Sequence, residues 1–187
     1  IDQIEKFLND GGLIYQVKNP VTIYAESTPN PNVIKFVANK KLVNIAHEFK
    51  TSESANYCFI AKALFNHDFI KEIYIDFNFI SVTINEKFTW DEFTMQIREF
   101  ILSYIKDGNQ IIDSSYDVQN STSEGIDQSN MDEISKKISA LIDEQIKPAV
   151  ASDGGNILFQ SYDNESMEVK VILQGACSGC PSSTYTL

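Results

Sequence analysis

Two of the three cysteines stand two residues apart, in Gly175-Ala176-Cys177-Ser178-Gly179-Cys180-Pro181, and the third, Cys58, stands alone. Thiolates at that spacing can point the same way and chelate a soft metal, or close a disulfide on each other. Gly175 and Gly179 let the backbone approach the sulfurs and offer amide donors to them. Pro181 suits the first position of a new helix, whose positive end would lower the thiol pKa values. Three chemistries fit the pair. An iron–sulfur cluster needs four thiolates, of which one chain supplies two. Tetrahedral zinc has the same shortfall. The third is a thioredoxin-like dithiol redox site.

The elements that must position the pair discriminate among these. Asp132 and Glu133 open a helix whose apolar face would carry Ile134, Ile138, Leu141 and Ile142. Pro148 breaks or kinks it, and Asp153-Gly154-Gly155 ends the helical turn that follows. Residues 156–162 and 167–173 then form a hairpin about Asp163-Asn164-Glu165, with Met167, Val169, Val171 and Leu173 on a buried face. A zinc ribbon needs a second cysteine pair in the chain, and a thioredoxin site expects a βαβ unit where this chain has a hairpin. His47 and His67 lie in the other half of the chain and read as surface or loop residues. A cluster shared by two copies of the chain, giving four sulfurs, satisfies the pattern best. Cys58, between Tyr57 and Phe59, reads as a small buried side chain and not as a ligand.

The first half is organised separately. Residues 21–27 and 33–38 have strand character and are broken by Thr28-Pro29-Asn30-Pro31-Asn32, where two prolines remove ladder donors. Residues 55–66 have a helical period, with Tyr57, Ile60, Ala61, Leu64 and Phe65 on one face. Residues 72–77 and 79–84 are β-branched and aromatic, with Asn78 between them as the turn. Thr89-Trp90-Asp91-Glu92 predicts a capping box, followed by a helix bearing Trp90, Phe93, Ile97, Phe100, Ile101 and Tyr104. Residues 1–18 suggest only a short helix ending at Gly11-Gly12.

The 187 residues carry a net charge of −11, which argues against nonspecific binding to nucleic acid or to an anionic membrane. No stretch approaches the ~20 apolar residues of a membrane span. The start, Ile1-Asp2-Gln3-Ile4-Glu5, has neither the basic nor the apolar part of a signal peptide, and the odd cysteine count argues against a secreted disulfide framework. A soluble, cytoplasmic protein of a reducing compartment is expected, an organelle matrix being the other such compartment. Residues 107–130 hold five acidic and no basic side chains and few apolar ones, which predicts a flexible acidic linker. The fold class is therefore α+β: two small α/β sandwich domains, residues 1–106 and 131–187, joined by that linker.

Two motifs carry a family resemblance. Ile146-Lys147-Pro148, Asp153-Gly154-Gly155-Asn156-Ile157 and the run from Gly175 to Thr184 resemble the C-terminal domain of NifU-type proteins. Thr28-Pro29-Asn30-Pro31-Asn32-Val33-Ile34-Lys35-Phe36, followed by Ala61-Lys62-Ala63-Leu64-Phe65, resembles the N-terminal domain of Nfu proteins. The resemblance implies a non-catalytic iron–sulfur scaffold or carrier that passes a [4Fe–4S] cluster from upstream donors to apo iron–sulfur client proteins. It implies that Cys177 and Cys180 bridge two protomers through the cluster, making a homodimer when loaded, and that the N-terminal domain is a targeting or interaction module. It also implies that the C-terminal domain continues through a helix and a strand beyond Leu187. The rivals are a dithiol oxidoreductase using the same cysteines and an interaction module with structural zinc between two chains.

Overall fold

The computed structural model describes residues 20–119 and 131–180. The expected helix before Gly11-Gly12 and the one opening at Pro181 lie outside these residues.

Strands β1 (Ile23–Ser27) and β2 (Val33–Ala38) form an antiparallel hairpin. Its turn is held by side chains because its prolines donate nothing. The Thr28 hydroxyl donates to the Asn30 carbonyl at 2.9 Å, and Asn30 Oδ1 accepts from the Asn32 amide at 3.1 Å. β3 (His47–Phe49), β4 (Ile70–Asp76) and β5 (Phe79–Ile84) complete a five-stranded antiparallel sheet in the order β1-β2-β5-β4-β3. Helix α1 spans Phe59–Leu64, α2 spans Trp90–Lys106 and α3 spans Ser114–Gln119.

Strand alternation divides the sheet into two unlike faces. Ile23, Phe36, Phe49, Ile73, Ile75, Ile80, Val82 and Ile84 point to one face and pack with Ile60, Leu64, Ile97 and Ile101 of the helices. The opposite face carries a small cluster of Val37, Ala46, Tyr74 and Phe79, together with polar residues. It faces the second half of the chain.

Several expectations are corrected here. β3 is too short to show a period, and its His47, expected at the surface, is buried on the helix-covered face with its ring 6.2 Å from Phe49 and 5.7 Å from Tyr57. Thr89 is the N-cap of α2 in extended conformation, but its side chain makes no capping hydrogen bond, so the expected capping box is not formed. The acidic stretch is not a linker from its first residue. Ile112 enters the core, the Ile111 carbonyl accepts from the Ile60 amide, and Tyr116 stacks on Tyr57 with ring centroids 4.5 Å apart. Two isoleucines and a tyrosine suffice to anchor residues 111–116 in spite of their polar surroundings.

In the second half, Asp132 caps helix α4 (Glu133–Leu141) by accepting from the Ser135 amide at 2.6 Å. The helix does not break at Pro148. A π-type turn over Ile142–Ile146 leads into α5 (Lys147–Ser152), with Pro148 in its first turn. The widened turn accommodates a residue that has no amide for the i−4 carbonyl. The buried side of α4 is also rotated from the expected one: Ser135, Ser139 and Ile142 are buried, whereas Ile134 and Leu141 are about half exposed. β6 (Gly155–Asp163) and β7 (Glu168–Gly175) form the expected hairpin, with a register shift between Phe159 and Ser161. Its supposed buried face is open towards the turn, where Met167 and Val169 are exposed, because the helical segment covers the other strand, β6. The mixed helix and sheet content is the α+β class expected.

Candidate functional site

The cysteine pair follows β7 on a loop built by glycine. Gly175 has φ +61° and Gly179 φ +73°, both in the region that disfavours a Cβ. Between them the Ser178 amide donates to the Gly175 carbonyl at 3.0 Å. This turn leans on a second one. Gly154, at φ +82°, follows α5 and accepts through its carbonyl from the Ala176 amide at 3.2 Å, while Gly155 pairs in register with Gly175. A Cβ on Gly155 would lie 2.7 Å from Cys177 Sγ and 2.7 Å from the Gln174 carbonyl oxygen. Asp153-Gly154-Gly155 therefore ends a helix, as the sequence suggests, and also clears the space that the first sulfur occupies. A doubled glycine, where one suffices to stop a helix, is the signal for that second role.

The electrostatics run against the expected lowering of the thiol pKa. Partial burial pushes the Cys177 thiol up to about 11, with the Asp153 carboxylate and Cys180 adding to the rise. The Asp153 carboxylate has the wrong sign to stabilise a thiolate. Cys177 is half-buried and Cys180 is 7% exposed.

The bare face of the five-stranded sheet supports this double turn. Glu26, Lys35, Ser81, Tyr74 and Glu48 are cross-strand neighbours that form one row over all five strands. Ser81 Oγ donates to the Gly154 carbonyl at 2.6 Å, and Lys35 Nζ to the Ser152 carbonyl at 3.0 Å. Glu48 Oε1 accepts from the Gly175 amide at 3.0 Å. The Tyr74 ring lies so close to Gly175 that a Cβ there would meet it at 2.8 Å. From the β1–β2 turn, Asn30 Nδ2 donates to the Ala176 carbonyl at 3.2 Å. Lys35 is held by Glu26 at 3.4 Å and by the Phe79 ring at 4.7 Å. Sequence reasoning assigned none of these five contact residues to the site. Their one signal was polarity inside otherwise apolar strands, at Lys35 and Ser81.

The remaining candidates are elsewhere. Cys58 is fully buried on the helix-covered side, its thiol donating to the Ile111 carbonyl at 3.4 Å, which fits a packing role. His47 belongs to the same core, and His67 sits beside Phe69 and Phe100. Among the described residues no group of three or more His, Cys, Asp or Glu side chains is placed to hold a metal ion. No helix of the described residues is long and apolar enough to cross a membrane.

Comparison with known proteins follows the same division of the chain. Residues 23–108 match the scaffold protein Nfu/NifU N-terminal family, and residues 138–187 match the NifU-like domain. NifU-like protein 5, mitochondrial, of Arabidopsis thaliana is 34% identical over 88% of this chain and 60% of its own length. NifU-like protein 4, mitochondrial, of the same plant is 32% identical over 88% of this chain and 58% of its own. The human NFU1 iron-sulfur cluster scaffold homolog, mitochondrial, is 30% identical over 88% of this chain and 63% of its own. The chain thus spans about 60% of the length of these curated relatives. Their names overturn the expected cytoplasmic location and point to an organelle. Composition read over folded domains carries no address, which resides in targeting segments. With both domain types present in the same order, and relatives matched across most of its length, the chain belongs to the Nfu/NifU family.

Proposed function

We propose that this chain is a non-catalytic iron–sulfur scaffold that receives a [4Fe–4S] cluster as cargo and hands it to apo-proteins within an organelle. Cys177 and Cys180 are the ligands, and two chains contribute the four thiolates that one cubane requires. The observation that carries this reading is the placement of both cysteines on one glycine-built loop, in a chain whose two domains are those of the Nfu/NifU family. The missing Cβ of Gly155 gives Cys177 Sγ the room in which it sits.

Burial and the Asp153 carboxylate keep the cluster-free Cys177 thiol protonated at neutral pH. Ligation requires the thiolate, so loading releases a proton from Cys177, and an unloaded thiol takes it back readily at neutral pH. A dithiol oxidoreductase would need the opposite, an attacking thiol with substantial thiolate character.

Anaerobic reconstitution tests the proposal. About two iron and two sulfide per chain, with the apparent mass rising to that of a dimer, is the result expected of a shared Cys₄ cubane. Four iron on a monomer overturns the shared-ligand model. Zinc alone, or disulfide turnover without metal, supports one of the rivals instead.

A further inference from the structure

We propose that the bare face of the N-terminal sheet is a platform for the cysteine loop, with Glu48, Ser81 and Lys35 as positioning residues that set its geometry for cluster binding. The inference rests on the proposed cluster-binding role of Cys177 and Cys180. It makes the N-terminal domain part of the site, where sequence reasoning gave it only targeting or interaction.

The pattern of contacts carries the argument. The hydrogen bonds from the sheet fall on the root of the loop. Lys35, Ser81, Asn30 and Glu48 meet the Ser152, Gly154 and Ala176 carbonyls and the Gly175 amide, which all precede Cys177. At the tip, Gly179 is exposed, and a Cβ placed on it would meet nothing within 4 Å. A surface whose role was to cover the thiols would close over residues 178 and 179. This one fixes the two turns that lead into Cys177 and leaves Gly179 uncovered.

The platform also supplies what the second half of the chain lacks. Its hairpin is exposed at Met167, Val169 and Ile172, and its helices bury few large side chains. A loop held by so small a core would sample many conformations, and pre-ordered ligands lose less entropy on binding. Ser81 is 1% exposed and Lys35 is also buried, so both polar groups were taken from water for these contacts. In the docked state each keeps a partner because a carbonyl of the second half accepts from it.

The test uses the full chain with changes confined to β3 and β5, on the sheet and away from the ligands. Glu48→Ala removes the acceptor for the Gly175 amide, whereas Glu48→Gln keeps a side-chain oxygen in its place. Ser81→Ala removes the donor to Gly154 without adding bulk. For reconstituted Glu48→Ala and Ser81→Ala, chelator-driven loss of cluster absorbance should be about tenfold faster than wild type, equivalent to ~1.4 kcal/mol. Glu48→Gln should stay near wild type, a rescue that loss of general stability would not produce. Hydrogen exchange at the Gly175 amide of the cluster-free chain should rise in the Glu48→Ala variant. Wild-type release rates in both alanine variants, or faster loading in either, overturn the platform; faster loading would mean that the sheet is a cover. If no chain, wild type included, takes up a cluster, the proposed function falls. The platform is then judged on Gly175 exchange and Cys177 alkylation, and unchanged values in Glu48→Ala overturn it.

Discussion

Gly155 and Cys177 share a space that only a hydrogen can leave open: a Cβ on the glycine would come within 2.7 Å of the sulfur and 3.0 Å of the Cys177 amide nitrogen. Because two of the three nearest atoms are backbone, relief would require the two turns to part. Gly155→Ala should therefore cost about 1–3 kcal/mol, as overpacking does, and should slow cluster uptake as well. Gly179→Ala gives the contrast, since its positive φ is strained but its surroundings are empty, and roughly 1–2 kcal/mol of backbone strain is its whole effect. Thermal melts and reconstitution rates of the two variants, measured side by side, check the ordering. Equal uptake rates would show that the Gly155 contact does not place the sulfur.

Cys177 should be a slow nucleophile at neutral pH. Its thiol is pushed from an ordinary value of 9.0 up to about 11 by burial, with the Asp153 carboxylate second. Alkylation mapped to Cys177 should therefore still be rising above pH 9, and Asp153→Asn should shift that profile to lower pH. The sign for stability follows from linkage. Between pH 9 and 11 the unfolded chain has lost the proton that the folded chain retains, so stability present below this window declines as pH rises through it. Equilibrium denaturation of the cluster-free chain at pH 8 and pH 10.5 tests this, with Cys177→Ser as the variant that should flatten the difference.

Ligand identity separates cleanly from packing among the three cysteines. Cys177→Ser and Cys180→Ser should each abolish stable cluster loading. Cys58→Ser should leave the iron and sulfide content unchanged, because Cys58 is buried on the opposite side of the sheet and faces the Ile111 carbonyl. Loss of loading in a folded Cys58 variant, monitored by circular dichroism alongside iron analysis, would contradict this assignment.

The N-terminal unit reaches beyond residue 106. Ile112 is 6% exposed within the core, and the Ile111 carbonyl and the Asp113 amide bond to the segment around α1. Ile112→Ala should lower unfolding free energy by about 2–5 kcal/mol, the range for a buried large-to-small change. A fragment ending at residue 106 should melt well below one ending at residue 119. Identical melts of the two fragments would return residues 107–119 to the status of a tether.

Local signals and long-range ones were unequally visible in the sequence. The strands at 33–38 and 79–84 were legible because one face of each is continuously apolar, and the glycine-flanked cysteines marked their loop as the candidate site. Lys35 and Ser81 were not legible as site residues, since a polar residue at an alternate strand position also suits an ordinary solvent-facing surface. Their partners lie 117 and 73 residues away, and no local period encodes such a distance. Residues 111–116 were misread because composition averaged over the stretch hid a few anchoring side chains. The face of α4 was misread for a related reason: apolar period selects Ile134 and Leu141, but the small Ser135 and Ser139 are the residues the helix buries.

The row across the sheet has a consequence for how freely its two halves could be exchanged. Lys35, Ser81 and Glu48 of the row, with Asn30 from the neighbouring turn, bond to main-chain atoms of the second half, at residues 152, 154, 175 and 176. Recognition of that kind depends on the path of the backbone, which the glycines set, and on a small residue at the buried position 176. A C-terminal domain from another member of the family, with the same Asp-Gly-Gly and glycine-flanked cysteines, would thus seat on this sheet without co-adapted side chains. Such contacts constrain shape more than they constrain exposed side chains, so a grafted domain that keeps these small residues should dock better than its overall identity would suggest.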